Sequence, residues 1–276
     1  MKSYRAPLFG NIPMVVKNLL IINILVFAAD NILPLIGIDV MQNLALFNFQ
    51  SPYFKPFQLV THMFMHGNIT HIFFNMLALY MFGRMLEMVW GPKRFLIYYF
   101  ITGLGAAALH SFVSYLSLTG LREATMAFAN TPSPEVFMSF VREYVPNASV
   151  GVNEFISSYS LQPSNPAYIN EATQFVQSVY EMHLNIPTVG ASGAVFGVLL
   201  AFGMLFPNTQ LMLLFPPIPI KAKYFVIIYG GIELFFAVLQ QPGDNVAHFA
   251  HLGGMLFGFL LIKYWNHKGI GNFKQF

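Results

Sequence analysis

Cysteine is absent from this 276-residue chain, and charge is scarce, with Lys, Arg, Asp and Glu making up only 9% of it. Without a thiol there is no disulfide, no thiolate metal site and no cysteine nucleophile. Soluble domains carry charge on roughly a quarter of their residues, so this composition excludes an ordinary water-soluble domain. A formal net charge of +3 does not suggest a nucleic-acid partner. Internal repeats and low-complexity tracts are missing too, including the inverted repeats typical of transporters. The segment Gly190-Ala191-Ser192-Gly193 lacks the last glycine of a soluble hydrolase elbow, because Ala194 stands there.

What is present is apolar. Hydrophobic residues make up 56% of the chain, with 30 phenylalanines and 15 methionines. Six apolar stretches approach the roughly 20 residues that cross a bilayer: 16–36, 71–89, 95–116, 189–206, 224–239 and 246–265. The expected fold is all-α, a single polytopic membrane domain over residues 1–276 with six transmembrane helices. No small-residue cleavage site follows the first run, which reads as a retained helix. Basic residues orient the bundle. Lys2, Arg5, Lys17, Arg84, Lys93, Arg94, Lys221, Lys223, Lys263, Lys268 and Lys274 fall on one side; Lys55, Arg122 and Arg142 fall on the other. Both termini are therefore expected in the cytoplasm.

Two outer segments stand out. Residues 39–70 form a long first outer loop with Pro52, Pro56, His62 and His66. His62 and His66 have metal-pair spacing, but no carboxylate or thiol accompanies them, so loop hydrogen bonding is expected instead. Residues 119–186 form an extracytoplasmic insertion between the third and fourth spans, with six glutamates against two arginines. Ser133-Pro134-Glu135 marks a helix start, and a second helix is expected from Asn170. A helical hairpin follows, lying on the bundle or on the lipid surface.

Polar residues inside such helices cost free energy unless they have a partner or a task. The second, fourth and sixth spans run in the same direction, and near their outer ends lie His71 and Asn75, Ser192, and His251. At 1.5 Å per residue all four are expected roughly 5–10 Å below the outer boundary. This set suits acyl transfer. A serine hydroxyl needs a neighbouring base, an imidazole can take and return its proton, and a tetrahedral oxyanion needs donors prepared in advance. His71 and Asn75, four residues apart, project from one helix face, and the Ser192 N–H at a helix start adds a third donor. Taken singly, Gly190, Ser192, Gly193, Gly197 and Ala201 also read as a small-residue packing stripe. His248 competes with His251 for the role of base. No acid adjoins either motif, so a Ser–His dyad is expected. Glu233 is expected deeper than the site, in a structural hydrogen bond.

Assembled this way, the chain resembles the rhomboid family of intramembrane serine proteases. The resemblance rests on His71-Ile72-Phe73-Phe74-Asn75, Gly190-Ala191-Ser192-Gly193, and Ala250-His251-Leu252-Gly253-Gly254 with Gly258. It implies a six-helix bundle with a wet cavity open to the outer face. It also implies Ser192 as nucleophile, His251 rather than His248 as base and acid, and His71, Asn75 and the Ser192 N–H as the oxyanion hole. Phe196 matches an aromatic that packs on the catalytic imidazole, and residues 39–70 match the family's membrane-embedded first loop. Two features depart from the family pattern: Phe57-Gln58 stands where a Trp-Arg pair is common, and the insertion 119–186 is longer than in minimal members.

The implied function is an intramembrane serine endopeptidase that cuts transmembrane segments of membrane proteins near the outer leaflet. Its partners are transmembrane substrates and the lipid bilayer, with no cofactor and no metal. A zinc enzyme would need His-Glu-x-x-His, which is missing. An aspartyl enzyme would need two intramembrane aspartates, whereas Asp39 and Asp244 fall in loops and leave only Asp30. Two rival readings are a non-catalytic rhomboid-like protein that binds transmembrane helices and a small transporter. A multi-pass chain of this simplicity suits a bacterial inner membrane.

Overall fold

The computed structural model describes residues 12–213, 217–239 and 247–269. Lys2, Arg5, Asp244 and Lys274, used above for orientation and for excluding aspartyl chemistry, lie outside them. Ten longer helices form among the described residues. They are α1 (Met14–Ile32), α2 (Ile69–Trp90), α3 (Pro92–Ser117), α4 (Thr119–Asn130), α5 (Pro134–Tyr144), α6 (Val150–Leu161), α7 (Pro166–Leu184), α8 (Ser192–Leu205), α9 (Ala222–Leu239) and α10 (His248–His267). A two-stranded antiparallel ribbon, β1 (Gln210–Met212) with β2 (Pro219–Lys221), stands between α8 and α9. The chain divides into two compact units, with the division in α3 between Ser111 and Phe112.

The first unit comprises residues up to Leu46, Lys55–Ser111 and Pro187 onward. Its distribution of polarity is inverted relative to a soluble protein. Ile22, Ile24 and Leu25 of α1 and Ile227, Ile228, Phe235 and Val238 of α9 are exposed, while Asn23, Glu87, Glu233 and His251 are buried. A lipid solvent favours that arrangement. Among the described residues, four helical runs are long and apolar enough to cross a bilayer: Met14–Ile36, Ile69–Trp90, Pro92–Asn130 and Ala222–Leu239. This is an integral, multi-pass membrane protein. Six spans were expected. Of the other two, α8 has 14 residues, about 21 Å at 1.5 Å each, and α10 carries His248, His251 and Lys263, which lower its hydropathy.

Within this unit α1 begins after Pro13 with no side-chain cap of its own. Glu87 of α2 supplies one from a distance, its Oε1 accepting from Val15 N at 2.9 Å and its Oε2 from Val16 N at 2.8 Å. The carboxylate thus satisfies two orphan donors and faces the positive end of the helix dipole. Sequence reasoning missed this buried acid. α2 is capped locally by Asn68, which accepts from His71 N at 2.8 Å, and it passes through a π turn at Leu79–Gly83. Phe95, Tyr98, Tyr99, Met63, Leu79, Leu86 and Ile262 fill the core.

The second unit is Phe47–Phe54 with Phe112–Ile186. The expected hairpin of two helices is in fact a set of four, α4 to α7. Ser133 caps α5 as read, accepting from Val136 N at 3.3 Å. α7 begins at Pro166 rather than Asn170, behind an Asn165 cap. α6, with Ser and Asn scattered among its apolar residues, gave no clear period. Phe128, Phe137, Phe140, Tyr159 and Val176 form the unit's own core.

Candidate active site

α8 opens at Ser192, two residues after Gly190, whose φ of +128° is a conformation that side chains rarely adopt. The Gly190 N–H donates to the His62 carbonyl at 2.9 Å and holds the kink against the first loop. A Cβ at Gly190 would stand 2.9 Å from His71 Nε2 and 3.4 Å from Ser192 Oγ. The His71 imidazole and the Ser192 hydroxyl therefore flank the same bare glycine. Ser192 N–H, at the first position of α8, has no acceptor within its helix. Asn75 is buried one turn after His71, and its Nδ2 spends one donor on the His71 carbonyl at 2.9 Å, leaving the other.

α10 meets α8 where both lack side chains. A side chain on Gly254 would run into the Gly193 carbonyl, and a Cβ on Gly193 would overlap Ala106 of α3 and approach the Ala250 carbonyl to 3.4 Å. Ser192 and His251 are the chain neighbours of Gly193 and Ala250, so they belong to this tight crossing. Further along, a Cβ on Gly258 would overlap the Tyr98 hydroxyl, which itself donates to the Gly197 carbonyl at 2.8 Å.

His251 is 8% exposed. Its ring stacks on Phe196 with centroids 4.1 Å apart and planes 9° from parallel. Its other side corrects the expectation for Glu233. Rather than lying deeper than the site, Glu233 Oε2 receives hydrogen bonds from His251 Nδ1 at 2.8 Å and His248 Nδ1 at 2.6 Å. Depth counted along each helix does not reveal how α9 and α10 slide past one another, and that slide brings in an acid from 18 positions away. The ligand atoms of Glu233, His248 and His251 lie within 4.8 Å of one another, spacing that could hold a metal ion. The two short hydrogen bonds already account for all three.

The first-loop histidines act separately. His62 donates from Nδ1 to the Gln58 carbonyl at 2.8 Å, whereas His66 sits edge-on to His71 at 5.0 Å. Burial pushes both down to about 4, so both are neutral at pH 7. His110 of α3, which carries no sequence signal, meets Thr188 Oγ1 through Nε2 at 2.8 Å. His62, His110, Thr188, Gly190, Ser192 and Ala250 line one small pocket. Its lining mixes these polar groups with apolar ones such as Met63, Ala106 and Val189.

Comparison with known proteins follows the same residues. The family model of the rhomboid domain matches residues 53–133 and 147–267. An uncharacterized mitochondrial rhomboid protein of Schizosaccharomyces pombe is 28% identical over 221 residues, covering 77% of this chain and 52% of the relative. RHOMBOID-like protein 12, mitochondrial, of Arabidopsis thaliana is 29% identical over 196 residues, 71% of this chain and 42% of the relative. Rhomboid protein 1, mitochondrial, of Saccharomyces cerevisiae is 36% identical over 74 residues, 27% of this chain and 21% of the relative. The chain thus spans about half or less of the length of these relatives. Their names are mitochondrial and lend no support to the expected bacterial inner membrane.

Proposed function

Because this chain belongs to the rhomboid family, we propose that it is an intramembrane serine endopeptidase. It cuts transmembrane segments of other membrane proteins near the outer leaflet, within a six-helix bundle whose termini face the cytoplasm. The observation that carries this reading is the bare face of Gly190, against which the His71 imidazole and the Ser192 Oγ both lie. A carbonyl seated there would meet a nucleophile and an oxyanion donor together.

The chemistry runs in two halves. Ser192 Oγ attacks the scissile carbonyl while His251 Nε2 takes its proton. The resulting oxyanion is held by the Ser192 N–H, by His71 and by the free Asn75 donor. The tetrahedral intermediate collapses, the C–N bond breaks, and His251 returns the proton to the leaving amine. Water then attacks the acyl-serine through the same imidazole and frees the carboxylate and Ser192. Since carbonyls in a helix are already hydrogen-bonded, the substrate must unwind locally to present one. Small or helix-breaking residues at the cleavage site are therefore expected.

The test uses detergent-solubilised protein and a transmembrane reporter. Ser192→Ala and His251→Ala are each expected to lower kcat by at least about ten-thousandfold, the lower end of the losses seen when serine-protease members are removed. A fluorophosphonate should label the unsubstituted protein and not Ser192→Ala. Equal cleavage by all three proteins would end the proposal.

A further inference from the structure

The mechanism above makes no use of Glu233. Its carboxylate is buried at 5% exposure, and a buried charge needs a strong reason to be there. One oxygen, Oε2, meets the Nδ1 atoms of His251 and His248 at 2.8 and 2.6 Å. An ionised carboxylate only accepts, so both imidazoles carry their proton on Nδ1. For His251 the consequence is chemical: Nε2 is left with the lone pair, the form a general base requires. Phe196 fixes the plane of that ring by stacking, but stacking does not choose between tautomers. The carboxylate does. His248, whose ring lies over Phe236 at 5.6 Å and 20°, is a second donor that keeps the carboxylate aimed.

The geometry points to Glu233 as a positioning residue for His251, setting its tautomer and orientation and stabilising the imidazolium that forms when Ser192 gives up its proton. This rests on the serine-protease reading. Glu233 touches no reacting atom and acts only through His251. It enters from α9, so no motif around Ser192 or His251 announces it.

The experiment compares the unsubstituted protein with Glu233→Gln, which is nearly isosteric, and Glu233→Ala, with Ser192→Ala as the blank. Two readouts are needed: reporter cleavage, split into kcat and KM, and the rate of fluorophosphonate labelling, which needs an activated Ser192 but no transmembrane helix to gain access. Both Glu233 variants should lose kcat on the order of a hundredfold, with KM within about threefold and labelling slowed in parallel. In protein with ¹⁵N-labelled histidine rings, the His251 resonances should report protonated Nδ1 and bare Nε2. That preference should be lost in Glu233→Gln, with its thermal unfolding measured alongside to check that the fold survives. A Glu233→Gln protein that labels at the original rate overturns the proposal, whether its cleavage is intact or impaired. Failure of the underlying reading looks different: there, Ser192→Ala cleaves and labels like the unsubstituted protein.

Discussion

At His62 a single ring couples burial to acidity. A histidine titrates near 6.5 when unfolded, whereas burial, opposed by the Gln58 carbonyl and aided by the charge of His110, brings His62 down to about 4. Above pH 6.5 the ring is neutral in both states, and its contribution to stability is intact. Between 6.5 and 4 the unfolded chain binds a proton that the folded protein refuses, so stability falls as the pH is lowered, by up to about 3 kcal/mol. His66 shares the direction. The unfolding temperature is therefore expected to drop across that window, and His62→Gln should flatten the drop without abolishing it. An unchanged slope in the variant would show that His62 is not the group responsible. Residue identities of this kind are legible in a sequence; their burial is not.

Among the helices, local signals were the most legible. Ser133 and Asn165 cap their helices within three residues along the chain, and Asn68 caps α2 so that His71 falls in its first turn. The caps at Asn68 and Asn165 went unread, so α7 was expected four residues late, but such contacts are set by neighbours in sequence, which is why the Ser133 start of α5 could be read. The cap of α1 could not be, because its acceptor, Glu87, lies more than 70 positions away. Removing it by Glu87→Ala strands two donors and is expected to cost about 2–4 kcal/mol, seen as a lower unfolding temperature in detergent. Glu87→Gln keeps one carbonyl acceptor and should lose less. If the two variants unfold with the unsubstituted protein, the carboxylate is not holding the end of α1.

For the whole molecule, the solvent decides what counts as outside. Ile228 is 54% exposed on α9, a position that water would punish and lipid rewards. An arginine there should cost roughly 2.5–3.5 kcal/mol in membrane insertion, reducing the folded protein recovered from membranes, while Ile228→Leu should be recovered in full. Recovery of the arginine variant at the same level would argue that this face is covered by protein. The second unit shows the opposite habit, with a separate aromatic core around Phe137 and Tyr159. Its four helices were condensed to two in sequence reasoning because short amphipathic segments such as α6 carry too few turns to show a period.

Composition, apolar run length and the small residues beside Ser192 and His251 were enough to determine a helical membrane protein and to nominate its chemistry. Those properties follow from transfer free energy and from helical spacing, both local along the chain. The partnership of Glu233 with His251 and His248, and the shared glycine face of His71 and Ser192, belong to the tertiary structure alone. They depend on how α8, α9 and α10 rotate and slide against one another. That register is chosen by backbone approaches, such as Gly193 to Gly254, between residues distant in sequence.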